Sequence, residues 1–178
     1  MEKVTNVFIH PEEILNQLDL HDAMEVADFG CGNGYFSIPL AEVVVNGRVY
    51  ALDVMKESLE AVESQANLKK IENIKTIHCN LEILNNSKLE NESMDLILMR
   101  NILFQSQKKV EIIKEAKRVL KPKGKLILLE WIPGASMAPK EGNLISKDKV
   151  IELAKTQEIE LYKELILDNQ HYGLIFEK

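Results

Sequence analysis

Apolar residues occur in two patterns along the chain, as short continuous runs and as stretches with helical spacing. Continuous runs bounded by turn residues are typical of buried strands, and apolar positions three or four residues apart are typical of amphipathic helices. The runs predict strands at residues 26–29, 48–53, 74–79, 94–99, 125–131, 159–167 and 171–176. The helical spacing predicts helices at residues 35–45, 58–68, 108–120 and 146–156, and a short helix within residues 1–23 with Pro11 in its first turn.

The order of these elements determines the predicted fold. Strands that alternate with helices form a parallel sheet with right-handed crossovers. The last two strands are joined only by residues 168–170, so the final strand should be antiparallel to its neighbour. We therefore predict an α/β fold, Rossmann-like and doubly wound, with a mostly parallel seven-stranded sheet, an antiparallel last strand and helices on both faces. Residues 1–178 should form a single domain.

Composition and charge narrow the classes of protein that need consideration. The formal net charge of -6 argues against a general electrostatic grip on nucleic acid, which requires a basic surface. Two cysteines, Cys31 and Cys79, do not make a disulfide framework, which fits a reducing cytosol. No apolar run has the length of a membrane span, and the first residues lack the layout of a signal peptide. We expect a soluble, cytoplasmic protein.

A glycine-rich loop follows the first predicted strand. Gly30, Gly32 and Gly34 alternate with other residues, and the next helix begins shortly afterwards. Glycine lets the backbone approach a ligand closely, and a helix start offers unpaired N–H groups. In a dinucleotide-binding loop of the usual Gly-x-Gly-x-x-Gly kind, the third glycine would occupy the position of Tyr35. The loop therefore predicts a cradle for a small ligand and argues against a nicotinamide dinucleotide.

Polar residues also stand at the ends of the next predicted strands. Ligands of such sheets bind at the carboxyl ends of the strands, where the strand order reverses. Asp53 can accept hydrogen bonds from both hydroxyls of a ribose, and Asn80 can meet the edge of an adenine. Arg100 and Asn101 follow the fourth strand. Because the glycine loop contains no Lys or Arg to meet a phosphate, these positions together predict a site for a nucleoside with a polar tail.

With these residues, the sequence resembles a known family, the class I S-adenosylmethionine-dependent methyltransferases. The resemblance covers nearly the whole chain and is carried by five motifs in the expected order, at residues 26–34, 49–53, 79–81, 94–98 and 118–126. Within the family, the chain is similar to the branch of ubiquinone and menaquinone biosynthesis methyltransferases. That similarity lies at residues 100–104, 118–122 and 171–176.

The resemblance implies S-adenosyl-L-methionine as cofactor and assigns roles by position. Asp28 is expected to help hold the amino group of the methionine part, Asp53 to bind the ribose hydroxyls, and Asn80 to meet the adenine amino group. An acid is commoner in the family at the position of Asn80, although an amide oxygen can accept the same hydrogen bond. The residues expected to bind the cofactor are Asp28, Gly30, Cys31, Gly32, Gly34, Asp53, Val54, Met55, Asn80, Leu81 and Arg100.

The residue that would act as a base is less well defined. A base is needed only if the methyl acceptor must lose a proton, and the candidates near strand ends are Glu130, His171 and Tyr172. A purely structural role is the alternative for His171 and Tyr172, which begin the last strand. Histidines with the spacing of metal ligands are lacking, so no metal is expected.

The sequence thus favours methyl transfer to an acceptor that is a small molecule. The sequence motif of amino-group DNA methyltransferases is lacking after the fourth strand, so nucleic acid is not the expected acceptor. The alternative is a catalytically inactive module that binds S-adenosylmethionine and acts through a partner. A third reading, a nicotinamide-dependent oxidoreductase, conflicts with the glycine spacing. Residues 132–145 are expected to form a loop over the site. The acceptor pocket is expected either to be open or to be completed by the second subunit of a homodimer.

Overall fold

A computed structural model describes residues 9–140 and 142–178 of the chain. Five helices are α1 Pro11–Leu15, α2 Ser37–Val43, α3 Lys56–Lys69, α4 Lys109–Val119 and α5 Lys147–Thr156, and a 3-10 helix spans Leu103–Gln105. The strands are β1 Glu25–Phe29, β2 Arg48–Asp53, β3 Ile74–His78, β4 Met94–Arg100, β5 Leu120–Trp131, β6 Glu160–Leu165 and β7 His171–Glu177. None of the described helices is long and apolar enough to cross a membrane.

All strands belong to one seven-stranded sheet with the order β3-β2-β1-β4-β5-β7-β6. Strands β1 to β5 pair in parallel, and β7 runs antiparallel to both β5 and β6. The order reverses at β1, because the chain extends outward through β2 and β3 and then returns to place β4 on the other side of β1. The predicted fold class is confirmed, including the antiparallel last strand.

Apolar side chains cover both faces of the sheet. On one face, Leu40 of α2 packs in a cluster with sheet residues that include Leu96. On the other face, Ile113 of α4 and Val150 of α5 pack in a second cluster with Leu126. Successive side chains of a strand point to opposite faces, so a strand buried on both faces is apolar almost throughout, as β4 is. The helices therefore enclose the sheet from both sides.

The start of β5 differs from the prediction. The strand begins at Leu120, whereas the sequence pattern placed its start at residue 125 and extended the preceding helix through Leu120. The pairing of β4 with β5 shifts register between Met94 and Leu96, and Lys123 has a positive φ of 66°. A bulge thus keeps Pro122 within a strand, although the sequence suggested that it only ended the helix. The prediction was wrong because the bulge depends on the neighbouring strand.

Candidate cofactor site

Two adjoining cavities lie at the carboxyl ends of β1, β2 and β4, where the strand order reverses. The larger has a volume of about 520 Å³ and the smaller about 220 Å³. Gly30, Gly32 and Arg100 line both cavities. The predicted site residues that line only the larger cavity are Asp53, Val54, Met55, Asn80 and Leu81, and those that line only the smaller are Asp28 and Cys31. The structure therefore brings together ten of the eleven residues predicted for the cofactor.

Backbone hydrogen bonds fasten the glycine loop to the neighbouring strand. The N–H groups of Gly30 and Cys31 both donate to the carbonyl oxygen of Leu52, at 2.8 and 3.0 Å. Gly32 has a φ of +50°, and a Cβ atom added there would meet no heavy atom within 4 Å. Its backbone consequently faces open space in both cavities, as the close approach of a ligand requires.

Gly34 is the exception among the predicted cofactor residues. It lines neither of the two cavities, and a Cβ atom added to it would lie 3.1 Å from Cγ2 of Val62. Its φ of +86° is also one that side chains rarely adopt. The structure thus gives Gly34 a packing role against α3, and direct contact with a cofactor is not needed to explain it.

Asp53 ends β2 with both carboxylate oxygens held in place. Oδ2 accepts a hydrogen bond of 2.9 Å from the N–H of Gly32, and Oδ1 accepts one of 2.9 Å from the N–H of Met55. Each carboxylate oxygen has a second lone pair that remains able to accept. Because Asp53 lines the larger cavity, this carboxylate fits a ligand that offers two neighbouring hydroxyl groups.

Asp28 is buried at the inner end of the smaller cavity, with an exposed fraction of 2%. The hydroxyl of Ser37 donates a hydrogen bond of 2.6 Å to its Oδ2. Burial raises the pKa of Asp28 to about 6, and the nearby charge of Asp53 acts in the same direction. A cation in the smaller cavity would stabilise the charged form, so this carboxylate fits a ligand amino group.

Arg100 stands at the junction of the two cavities. Its guanidinium carbon lies 5.0 Å from the centre of the Tyr35 ring. Burial lowers the pKa of Arg100, but an arginine remains charged in proteins. The Nε of Arg100 and the Oδ1 of Asn101 are buried and have no hydrogen-bond partner within the described residues. These unpaired polar atoms fit a polar ligand at the junction.

The adenine end of the predicted site is lined by apolar and amide groups. Val54 and Met55 keep exposed fractions of 57% and 55%, because they border the larger cavity, whereas Leu81 is buried at its wall. Oδ1 of Asn80 accepts a hydrogen bond of 2.9 Å from the N–H of Glu82, which forms a local turn. One lone pair of this oxygen remains, so contact between Asn80 and an adenine stays a prediction.

Cys31 packs within the loop. Its Sγ donates to the carbonyl oxygen of Gly32 at 3.4 Å, and burial raises the pKa of the Cys31 thiol far above its usual range. The thiol is therefore a poor nucleophile.

Several lining residues were not singled out as cofactor residues from the sequence. They are Ser58, Cys79, Glu82, Ile102, Ser106 and Ile112 in the larger cavity, Asn33, Tyr35 and Phe36 in the smaller, and Gln105 in both. Asn33 and Tyr35 adjoin the glycines, so their position in the chain could have indicated them. Asn101, which was predicted near the site because it follows the fourth strand, lines both cavities. Gln105 and Ser106 reach the cavity only because a 3-10 helix follows β4, and no pattern in the sequence marks that helix.

His171 and Tyr172, two of the three predicted bases, line neither cavity. Nδ1 of His171 lies 3.0 Å from the carboxylate of Asp168, and the centroid of its ring lies 4.0 Å from that of Trp131. Burial lowers the pKa of His171. The Tyr172 hydroxyl donates to the carbonyl oxygen of Ile145 at 2.9 Å, and burial raises its pKa. These contacts explain both residues structurally, and a catalytic role for either stays a prediction.

Glu130 and the described residues of the loop, 132–140 and 142–145, line neither cavity. Glu130 has an exposed fraction of 1%, and its Oε1 accepts a hydrogen bond of 2.6 Å from the N–H of Leu103. In the loop, the N–H of Asn143 donates to the carbonyl oxygen of Phe104 at 2.7 Å. None of the loop residues described lines either cavity. The loop thus packs on the 3-10 helix and does not cover the cavities, contrary to expectation.

Comparisons with known proteins agree with this fold. Residues 20–173 match a family model described as a methyltransferase domain. A demethylmenaquinone methyltransferase of Geobacillus sp. (strain WCH70) is 29% identical over 120 residues, which are 67% of this chain and 50% of the relative. A demethylmenaquinone methyltransferase of Bacillus mycoides (strain KBAB4) is 25% identical over 154 residues, which are 86% of this chain and 64% of the relative.

The chain therefore spans half to 64% of the length of these curated relatives. Among solved structures, a SAM dependent methyltransferase from Aquifex aeolicus superposes with a TM-score of 0.82 at 22% identity, covering 94% of this chain and 88% of the other. The family match and the strand order agree with one another. The chain belongs to the methyltransferase domain family, and the predicted identification as a class I S-adenosylmethionine-dependent methyltransferase is confirmed.

Proposed function

We propose that this chain transfers a methyl group from S-adenosyl-L-methionine to a small-molecule acceptor. The observation that carries the proposal is the Asp53 carboxylate, which bridges the N–H groups of Gly32 and Met55 and lines the larger cavity. A carboxylate held in this way offers paired acceptors to a ribose. Membership in the methyltransferase domain family supports the same conclusion.

Each residue around the two cavities binds a different part of the cofactor. S-adenosylmethionine, when bound, supplies an electrophilic methyl group. Asp53 accepts from the ribose hydroxyls, Val54 and Met55 border the adenine, and Asp28 faces the amino group. Arg100 at the junction provides positive charge for the carboxylate of the methionine part. The protein's contribution to rate is then the alignment of an acceptor close to the methyl group.

The acceptor that we place first is a quinone-like aromatic small molecule. Support comes from the names of several curated relatives, which are demethylmenaquinone methyltransferases. Methylation at a ring carbon or oxygen removes a proton from the acceptor, so a base would be needed in that case.

Titration calorimetry and a methyl-transfer assay test the proposal in sequence. The chain should bind S-adenosylhomocysteine and should not bind NAD. Binding of NAD without binding of S-adenosylhomocysteine would refute the proposal. Transfer of radiolabel from methyl-labelled S-adenosylmethionine to a demethylated naphthoquinone would support both the reaction and the acceptor class. Tight binding of S-adenosylhomocysteine without transfer to any acceptor in a broad screen would instead support an inactive binding module.

Sedimentation of the same preparation tests the homodimer. If the chain sediments as a dimer, two inactive variants can be mixed, each with its substitution on a different side of the acceptor pocket. Methyl transfer should reappear in the mixture. A monomer at all concentrations would show that one copy forms the whole pocket.

A further inference from the structure

A turn at residues 101–106, which contains the 3-10 helix, forms one wall of the cofactor site. Asn101, Ile102, Gln105 and Ser106 line the larger cavity. The Ile102 side chain lies directly against the glycine loop, since a Cβ atom added to Gly30 would be 3.0 Å from Cδ1 of Ile102. The position of this turn therefore determines how closely the wall approaches the glycine loop.

A buried carboxylate lies behind the turn and binds its backbone. Oε1 of Glu130 accepts a hydrogen bond of 2.6 Å from the N–H of Leu103. The N–H groups of Phe104 and Ile102 face the same carboxyl group and also favour its charged form. Oε2 has no hydrogen-bond partner of its own within the described residues. Glu130 thus gathers the first N–H groups of the 3-10 helix, which have no partner within that helix.

The other end of the turn is held by a cation. The ammonium group of Lys109, in the first turn of α4, donates to the carbonyl oxygen of Ser106. Asn101, at the start of the turn, has a φ of +54°, and its N–H donates to the carbonyl oxygen of Leu129 at 2.8 Å. Negative charge at the N–H end and positive charge at the carbonyl end both stabilise a short helix. The turn is therefore fixed from beneath by groups that do not line the cavities.

A carboxylate in this place is costly, because an ionised group loses its hydration when it is buried. An apolar side chain would fill the same space without that cost, but it could not bind the backbone N–H groups of the turn. We propose that Glu130 is a positioning residue, whose carboxylate holds the 101–106 turn against the glycine loop and thereby shapes the cofactor cavity. The link to a cofactor rests on the proposed function, whereas the link to the turn does not.

The protonation of Glu130 provides a second readout. Burial raises the pKa of Glu130 to about 7, although the N–H groups of Leu103, Phe104 and Ile102 and the charge of Lys109 oppose this shift. Tyr172 also faces Glu130, and burial raises the pKa of its phenol, which therefore stays neutral. When the pH falls through 7, Glu130 becomes neutral and attracts the N–H groups less strongly. Opening of the turn removes these N–H groups, which lower the pKa of Glu130, while the carboxyl group stays buried beneath it. The open turn then binds a proton more readily, so acidification should loosen the turn.

Amide hydrogen exchange of residues 101–106 and titration with S-adenosylhomocysteine test the proposal together. We expect Glu130→Ala to speed exchange in the turn and to weaken S-adenosylhomocysteine binding about tenfold, and Glu130→Gln to weaken it only about threefold, because its amide oxygen can still accept. Asp95→Asn is the matched control. Asp95 also accepts a backbone N–H, that of Glu25 at 2.8 Å, but it lies at the amino ends of the strands, opposite the cavities. It should change neither readout.

Comparison of Glu130→Gln with the unaltered protein between pH 6 and pH 8 isolates the titration of Glu130, because Asp28 titrates in both. Exchange in the turn should depend on pH in the unaltered protein beyond its intrinsic chemical dependence, and the variant should lose that extra part. Unchanged exchange and affinity in Glu130→Ala would overturn the proposal. If Glu130→Ala does not fold, an unchanged pH response in Glu130→Gln would overturn it instead. Failure of the unaltered protein to bind S-adenosylhomocysteine would refute the proposed function, and the exchange data would still decide the role of Glu130 in the turn.

Discussion

The N–H of Gly32 donates a hydrogen bond of 2.9 Å to Oδ2 of Asp53, which joins the glycine loop after β1 to the end of β2. The two residues are distant in sequence and belong to different motifs, yet both line the larger cavity. The bond fixes the carboxylate and the loop relative to each other before any ligand binds. The part of the site that we propose for the ribose is in this sense preorganised, and the cost of ordering it falls on folding.

Asp53→Ala should weaken the binding of S-adenosylhomocysteine at least about tenfold, or about 1.4 kcal/mol. The substitution removes both acceptors proposed for the ribose, and it removes the partner of the Gly32 N–H. Calorimetry at constant pH measures the change. Asp22→Asn is a suitable control, because Asp22 is exposed and, among the described residues, its Oδ2 accepts from the side chain of Asn46 alone. An unchanged affinity in Asp53→Ala would mean that the ribose is held elsewhere.

Asp28 should make cofactor binding depend on pH. Burial raises its pKa to about 6 in the protein, so the carboxyl group is partly protonated at pH 6 before binding. The amino group of the cofactor favours the charged form and lowers this pKa. Binding near pH 6 should therefore release a proton, and the affinity should fall as the pH falls through 6. Calorimetry in buffers of different ionisation enthalpy measures the released proton.

The same carboxyl group should make the free energy of unfolding depend on pH in the direction opposite to that of the binding affinity. Its folded-state pKa of about 6 lies above the ordinary value of 3.8, so between these values the folded state binds more protons than the unfolded state. The free energy of unfolding of the ligand-free protein should then decrease as the pH rises from 4 to 6 on account of Asp28. Asp28→Asn should abolish both this slope and the proton release. A variant that still releases the proton would assign it to another group.

Sequence patterns predicted the parts of the site that depend on nearby residues. The apolar runs determine where the strands end. Parallel pairing then brings Asp28, Asp53 and Arg100 together at the carboxyl ends of the strands. The glycine spacing predicts a cradle because glycine lets the backbone approach a ligand closely. This too is a local property, and the backbone of Gly32 does face open space. Even the local turn at Asn80 follows from a short polar side chain two residues before its partner.

The remaining features depend on contacts between distant segments. The start of β5 at Leu120 requires a bulge against β4, which the composition of residues 120–124 does not indicate. The 3-10 helix is stabilised by Glu130, which lies 27 residues from Leu103 along the chain. A glutamate at the end of an apolar strand resembles a catalytic base in sequence, and only the fold shows which backbone groups it binds.

Gly32→Ala and Gly34→Ala should have different consequences. Both positions have positive φ values, so each substitution costs about 1–2 kcal/mol of folding stability through backbone strain. At Gly34 the added Cβ also lies 3.1 Å from Val62, and the loss of stability should be larger. At Gly32 the Cβ occupies open space in the cavities, so the loss of affinity for S-adenosylhomocysteine should be larger. Thermal unfolding and calorimetry on both variants check the difference, and equal effects on both measurements would contradict it.

A buried ion pair fixes the segment between β3 and β4. Glu115 of α4 is fully buried, with an exposed fraction of 0%, and its Oε1 accepts a hydrogen bond of 2.6 Å from Nη2 of Arg118. The N–H of Asn85 donates to its Oε2 at 2.7 Å. Burial alone would raise the pKa of Glu115, but these partners and the hydroxyl of Ser87 lower it below its usual value. The ionised pair therefore connects α4 to a segment that contains no helix or strand.

Arg118→Met should destabilise the protein by about 3 kcal/mol, because it leaves the buried carboxylate of Glu115 without its cation. Lys117→Met, one residue earlier in α4, is the matched control. Lys117 pairs with Glu158, which is 86% exposed and screened by water, so its loss should cost far less than that of Arg118. Urea unfolding at pH 7 measures both values. Because the folded-state pKa of Glu115 is lowered, the stability that the pair contributes is lost as the pH falls through that pKa, and the difference between Arg118→Met and the unaltered protein should shrink in acid. A difference that persists there would assign the destabilisation to lost packing of the Arg118 side chain.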